Sequence, residues 1–350
     1  MWQNIKVVEL ASVLAGPLVG SFFAELGAKV VKVENKNTNG DITRQWKLKT
    51  ENANINFSSY YASCNYGKEI LMLDLKDELD YNKIVALIKD ADIVIQNFKA
   101  GDAEKLHLDA DTLLQINPTL IVGVISGFGK GDKRLAYDVV LQAETGFMFM
   151  NGEPNSRPLK MPVAMIDVLA AHHLKQAILV ALYERNFTKK GQCVSVSLFD
   201  AALAALVNQG SGYLMEKHIP QAMGSKHPNI APYGDMFLTK DNKYIVLAVG
   251  SNQQFALLCK ILELDNLAKD EKFSTNQQRL FNRNELCILL EKAFLRKNAK
   301  DLMQLFLVQK IPAGLVKNLQ EVFEEEKAQL MVQEFEIDGF KGKRVRTLLK

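Results

Sequence analysis

Cysteine is scarce in this sequence of 350 residues: Cys64, Cys193, Cys259 and Cys287 are scattered and form no CxxC pair. That usage excludes a disulfide framework and reads as reduced packing thiols in a cytoplasmic protein. Histidine is almost as rare, and His107, His172, His173, His218 and His227 stand at no ligand spacing from any cysteine, so no metal site is expected. Neither sign of charge dominates, at a net +3. No basic run interleaved with aromatics precedes Lys341-Gly342-Lys343-Arg344-Val345-Arg346, which argues against a nucleic-acid partner. This last stretch reads as a solvated terminus, with a phosphate or partner contact as the alternative. No uninterrupted apolar run is long enough to span a bilayer, so no membrane association is expected. The opening residues, with charges at Lys6 and Glu9, read as a strand and not as a signal peptide. Internal repeats and low-complexity segments are absent.

What is present is an alternation of strand and helix. Apolar, β-branched runs mark strands at 5–10, 28–34, 69–75, 93–96 and 120–126, with helices at 15–26 and 80–89 between them. A long helix is expected over 168–185, its inward stripe formed by Leu169, Ala170, His173, Ala177, Val180 and Ala181. A strand at 193–198 and an Ala/Leu-rich helix at 198–207 follow. This pattern implies βαβ units, a mostly parallel Rossmann-like sheet and right-handed crossovers. Beyond about residue 210 the texture changes to glycines, polar turns, a strand pair (235–239 and 243–249) and helices at 253–262, 283–294 and 299–309. The chain therefore divides into a large α/β domain (1–205), a smaller α+β domain (206–312) and a C-terminal segment returning to the large domain (313–350).

Two constellations could carry chemistry. Gly16-Pro17-Leu18-Val19-Gly20 follows the first strand and opens a helix, but Leu18 stands where a dinucleotide turn needs its second glycine. The helix start could still face a phosphate, or the glycines could serve close packing alone. The second is Asp167, between an apolar lead-in and the long helix. A lone Asp there is either an N-cap or a carboxylate aimed at a cleft, and the helix N-terminus would keep it ionised.

An ordered series of motifs decides between these readings. It runs through Val8-Glu9-Leu10, Val13 to Pro17, Leu26-Gly27-Ala28, Gly40-Asp41, Asn65-Tyr66-Gly67-Lys68, Gln96-Asn97-Phe98, Ser126-Gly127-Phe128-Gly129, Tyr137-Asp138 with Gln142-Ala143, the Asp167 helix, Val249-Gly250-Ser251-Asn252, Arg279, Arg283 and Ile311-Pro312-Ala313-Gly314. The series covers nearly the whole chain and resembles the class III CoA-transferases, a family that includes formyl-CoA and carnitine CoA-transferases and is related to the α-methylacyl-CoA racemases. The resemblance implies an interlocked homodimer and Asp167 as the nucleophile. It implies CoA contacts at Val13, Ala15, Asn97 and Phe98, Lys105 near the CoA phosphates, and Tyr137 and Asp138 lining the active site. Coenzyme A and acyl-CoA enter as substrates with a carboxylate, and no permanently bound cofactor is expected. Relatives close the site with a mobile glycine-rich loop, whose place here falls within 223–234, a stretch without a polyglycine run.

Such a reaction exchanges a thioester between two carboxylic acids. It needs neither ATP nor metal, but it does need a protein carboxylate and donors for a tetrahedral oxyanion. A racemase would need two bases across the α-carbon. The histidine expected directly before Asp138 is Tyr137, a poor base with an unperturbed pKa of about 10. Ser251, Asn252, Gln253 and Gln254 stand where the racemase's further acid is expected. A CoA-binding protein without catalysis is the remaining alternative, and the retained Asp167 argues against it.

Overall fold

The computed structural model describes residues 2–337 and 340–348. Its contacts gather the chain into two units, one of Met1–Met148, Lys160–Pro220 and Leu330–Lys350, the other of Phe149–Leu159 and Gln221–Gln329. The first unit begins with β1 (Lys6–Leu10), α1 (Ala15–Leu26), β2 (Lys29–Asn35), α2 (Ser59–Asn65), β3 (Glu69–Leu73), α3 (Glu78–Lys89) and β4 (Ile93–Gln96). It continues through α4 (Asp102–Lys105), α5 (Ala110–Ile116), β5 (Ile121–Ser126) and α6 (Asp138–Glu144). After α7 (Phe147–Met150) and the short excursion into the second unit come α8 (Met165–Thr188), β6 (Gln192–Ser197), α9 (Leu198–Ala204) and α10 (Val207–Glu216).

The six strands form one parallel sheet in the order β3-β2-β1-β4-β5-β6. Val8 of β1 lies opposite both Val31 and Val94. Helices cover both faces, so the central strands are apolar throughout instead of alternating. Ile93 and Ile95 pack with Val7, Phe23 and Ile178 on the side of α1 and α8, while Val94 packs with Ile84, Ile88 and Leu113 on the other. The strand order reverses between β1 and β4, and the crevice beyond their carboxyl ends is the usual ligand position in such sheets.

The long helix differs from its expected form. It begins at Met165, and its buried residues are Ile166, Asp167, Ala170, Ala171, Leu174, Lys175, Ile178 and Ala181. His173 and Ala177 are only partly buried, and Val180 is exposed. The alanines let α8 lie close to its neighbours, and Gly123 of β5 leaves room for Ile178, whose Cδ1 lies 2.8 Å from where a Cβ would stand. By length and composition alone α8 could cross a membrane, although no such run was expected. Here it is a core helix burying Asp167 and Lys175.

The unit boundaries also fall elsewhere than expected. Helix α10 stays with the first unit, which runs on to Pro220. The second unit is built on β7 (Tyr233–Leu238), β8 (Tyr244–Ala248) and β9 (Ala313–Leu315), an antiparallel sheet in that order. Because β9 pairs with β8, the segment after 312 begins inside this sheet and returns to the first unit only at Leu330. The sheet packs on α11 (Asn252–Ile261), α13 (Arg283–Phe294) and α14 (Ala299–Val308) through Phe237, Phe255, Phe294 and Phe306; α12 (Asn276–Phe281), α15 (Leu319–Phe323) and α16 (Glu326–Gln329) complete the unit. The basic stretch near the C-terminus is not wholly solvated. It forms β11 (Phe340–Val345), paired with β10 (Val332–Ile337), and Arg344 turns inward onto Glu25 of α1.

Candidate active site

The turn after β1 is strained and heavily braced. Val13 sits at φ +70°, the left-handed region that a β-branched residue avoids, at a cost of about 1–3 kcal/mol. Its N–H donates to Asp41 Oδ2 at 3.1 Å. Next to it, Ser12 N–H donates to Asn97 Oδ1 at 3.0 Å, and Asn97 Nδ2 donates back to Ser12 O at 2.9 Å. Asn97 follows β4, so this pair ties together the two strands that flank the crevice. Ala15, buried, opens α1 there. The glycines of this helix serve packing: a Cβ on Gly16 would stand 2.4 Å from Ala11 Cβ, and one on Gly20 would stand 1.8 Å from Glu9 Oε2.

Beneath the turn lies a buried charge cluster. Lys32 Nζ is 2.9 Å from Asp41 Oδ2 and 3.2 Å from Glu9 Oε1, and Lys68 Nζ is 2.7 Å from Glu9 Oε2. Burial alone would discharge Lys32, but Glu9 and Asp41 outweigh it and hold its pKa above the ordinary lysine value. For Lys68 burial wins and the pKa falls, despite Glu9.

Asp167 is 9% exposed and is the third residue of α8, not its N-cap. The N-cap position belongs to Ala164, which has no side chain to cap with. The cap comes instead from another helix. Ile166 N–H donates to Asp138 Oδ1 at 2.7 Å, and the Gln142 amide holds Asp138 Oδ2 at 2.5 Å. Gln142 Oε1 in turn accepts Met161 N–H at 2.7 Å, fixing the lead-in to α8. No described residue donates a hydrogen bond to the Asp167 carboxylate. Burial, then the charge of Asp138, push its pKa up to about 7. The expectation that the helix end would keep it ionised therefore fails on magnitude. A helix terminus contributes about 0.3–1 kcal/mol, whereas a shift from 3.8 to about 7 corresponds to roughly 4 kcal/mol.

The structure thus brings Val13, Ala15 and Asn97 together at the crevice, and Asp138 and Asp167 at one helix end. Phe98 is half-buried after Asn97. Lys105 is on the surface, its ammonium 3.0 Å from Asp102. Tyr137 is 55% exposed at the start of α6. Sequence reasoning missed Tyr60 on α2, whose phenol lies within the fields of Asp167, Asp138 and Asp41 and is held protonated by burial and those charges. It also missed the bridging role of Gln142. Neither carries a signal in spacing, because both depend on contacts between separate elements.

In the second unit, the stretch expected to hold a mobile loop is braced. Ser225 Oγ donates to Gly234 O at 2.5 Å and His227 N–H to Tyr233 O at 2.8 Å. Arg283 donates to His227 O at 2.6 Å, and Arg279 to Ala231 O at 2.7 Å. These bonds tie the loop to its own unit. Among the described residues no cluster of three His, Cys, Asp or Glu side chains could hold a metal ion.

The pattern that defines CoA-transferase family III matches residues 2–347. A succinate–glutarate CoA-transferase of Agrobacterium fabrum is 35% identical over 333 residues, 93% of this chain and 82% of that protein. The human succinyl-CoA:glutarate CoA-transferase is 33% identical over 329 residues, 92% of this chain and 73% of that one. Among solved structures, a CAIB/BAIF family protein from Brucella suis superposes with a TM-score of 0.87 at 36% identity, covering 100% of this chain and 92% of that one.

Proposed function

The chain belongs to CoA-transferase family III and is a CoA-transferase, and we propose that it moves CoA from an acyl-CoA to a carboxylic acid through covalent intermediates on Asp167. The observation that carries this reading is the Asp167 carboxylate: buried, free of hydrogen-bond donors and raised to about 7. A structural carboxylate would be paired or would serve as the cap; here Asp138 does the capping and no described residue pairs with Asp167. A carboxylate of raised basicity is a better nucleophile than an ordinary one, and at neutral pH a large share of it is ionised.

An Asp167 oxygen bonds to the thioester carbonyl carbon, the C–S bond breaks, and CoA leaves as the thiolate. The resulting acyl-aspartyl anhydride is attacked at the aspartyl carbon by that thiolate, which releases the donor acid and leaves an aspartyl-CoA thioester. The acceptor carboxylate then attacks the aspartyl thioester and displaces the thiolate, giving an anhydride whose acceptor carbonyl the thiolate attacks. Asp167 is regenerated and no redox change occurs. The braced turn at Val13 and Asn97, with Phe98 and Lys105, is the proposed CoA grip. The named activities of the similar proteins support a C4–C5 dicarboxylate, such as succinate or glutarate, as the acid partner.

Racemisation is disfavoured by the residue types present. At the chain positions where the resemblance to racemases requires a second base and a further acid stand the exposed Tyr137 and, in the second unit, Ser251 and Gln254, which form a capping box on α11. A second copy of the chain is the proposed partner: α10 buries none of its residues in the isolated chain. Incubation with succinyl-CoA and glutarate should trap an adduct on the Asp167 peptide, read by mass spectrometry. Asp167→Ala should abolish exchange and adduct while CoA binding survives; exchange that persists in this variant would refute the mechanism.

A further inference from the structure

Gln142 stands between Asp138 and the lead-in to α8, and its amide is engaged at both ends. Its Nε2 donates to Asp138 Oδ2 at 2.5 Å, and its Oε1 accepts from Met161 N–H at 2.7 Å. A reversed amide would set its NH2 group against Met161 N–H and its oxygen against a carboxylate oxygen, so only one orientation fits. The side chain is 1% exposed, so a bond lost here is not replaced by bulk water.

Asp138 and Gln142 lie one turn apart on the same side of α6. Leu141 beside them is fully buried and joins the core cluster of Ile166 and Ala170, which anchors α6 to the helix it caps. The other Asp138 oxygen, Oδ1, accepts from Ile166 N–H at 2.7 Å, and Ile166 immediately precedes Asp167. Hydrogen bonds thus run from Met161 through Gln142 and Asp138 to the first turn of α8. Ala164, at the N-cap, has no side chain that could replace them.

We infer that Gln142 is a positioning residue of this site: it locks the Asp138 carboxylate onto Ile166 N–H, and so sets the first turn of α8 and the direction in which Asp167 leaves it. Gln142 acts through Asp138, not on the substrate. The site calls for this residue type. Asparagine is shorter by a methylene, and glutamate would set a like charge against Asp138 unless it carried a proton. The inference rests on Asp167 being the nucleophile.

Gln142→Leu keeps the bulk of the side chain and removes both bonds. Single-turnover release of CoA thiolate from succinyl-CoA should fall about 10²-fold, as when a reacting group is displaced by about 1 Å. KM for succinyl-CoA and the far-UV spectrum should stay near the unaltered protein's values. Gln142→Glu is the second variant, and it decides the matter if Gln142→Leu fails to fold. Its carboxyl still accepts Met161 N–H at every pH, but it donates to Asp138 only while protonated. Its kcat/KM should therefore rise as Asp167 ionises and fall again as the introduced carboxyl loses its proton, a bell in place of a single rising limb. A role confined to holding Met161 would leave the single limb. A kcat for Gln142→Leu within about twofold of the original overturns the assignment. So does a loss no larger than its loss of folded protein in thermal melts, or a single-limb profile for Gln142→Glu. The reading of Asp167 is scored separately on the unaltered protein: an adduct on the Asp167 peptide with Gln142→Leu fully active sinks Gln142 alone, whereas absence of that adduct sinks both.

Discussion

At the scale of single residues, the site is organised around a carboxylate that the fold does not want charged. Asp167 binds its proton up to about pH 7 when folded and only to about 3.8 when exposed. Its contribution to stability is therefore complete below the lower value and is lost as pH rises through the upper one. Replacing it with Asn should raise Tm increasingly between pH 4 and 7 and by a constant amount above, with a stabilisation of up to about 4 kcal/mol before the cost of burying the amide. Thermal melts across that range check this, and a constant difference at every pH would contradict it. The same titration should appear in function if Asp167 is the nucleophile proposed above: kcat/KM for succinyl-CoA should rise with pH to a limb near 7 as its carboxyl ionises. Val13 is a second case of local strain retained at the crevice. Its backbone conformation is unfavourable by itself, and Asp41, Asn97 and Cys64 hold the turn in place.

At the scale of elements, the question is how α8 holds Asp167 in place. The helix has no cap of its own and borrows one from α6, so Asp138 has two separable effects: it satisfies Ile166 N–H, and its charge raises the proton affinity of Asp167. Asp138→Asn keeps the acceptor for Ile166 N–H and removes the charge, so the acidic limb of the pH profile should move down, while the bond from the Gln142 amide is lost and stability falls by about 1 kcal/mol. Asp138→Ala removes both, and should cost about 1 kcal/mol in denaturant melts as well as shifting the limb. If both variants leave the limb near 7, burial alone sets it. Long apolar strands and the glycine-flanked α1 were legible in the sequence because their signals are local: Ile93-Val94-Ile95 can only be a strand covered on both faces. The buried stripe of α8 was not: Ile166, Ala170, Leu174, Ile178 and Ala181 keep the apolar helical period, but Val180, Tyr183 and Phe187 make the helix apolar on another side too, and the period alone does not choose which side faces in. Asp167 was legible as a residue of interest but not as an uncapped third position, since its cap lies 28 residues away in sequence. Helix α2, short and rich in aromatics, shows no 3.6-residue period, and Tyr60 was missed with it.

At the scale of the whole molecule, the first unit is closed by chain from the far end of the sequence, and it leaves the apolar side chains of α10 exposed. Glu25 of α1 accepts from Arg344, from Thr347 N–H at 3.0 Å and from Leu348 N–H at 2.7 Å. Burial pushes the Glu25 pKa up, but those amides and Arg344 outweigh it and hold it below 4.5. The latch is therefore present above that pH and is lost as pH falls through the lower folded value. Glu25→Ala leaves a buried guanidinium uncompensated, a loss on the order of 3–5 kcal/mol. It should free the hairpin of β10 and β11 first, seen as fast amide exchange confined to its strands. Helix α10 poses the opposite problem. Val207, Leu214 and Met215 are 69%, 71% and 77% exposed, and Ile219 just beyond is 58% exposed. An isolated helix of 10 residues is marginal in water, because most helical stability comes from packing an apolar face. Among the described residues of the first unit none buries that apolar face, and the second copy proposed above would cover it. Sedimentation should accordingly give twice the 39.2 kDa chain mass. Leu214→Glu with Met215→Glu should shift the protein to monomer and lower the helical signal by about one short helix, with the parallel sheet intact. A monomeric unaltered protein would refute the second copy as partner, and a double variant that remains dimeric would place the dimer contact elsewhere; either leaves α10 without a covering surface.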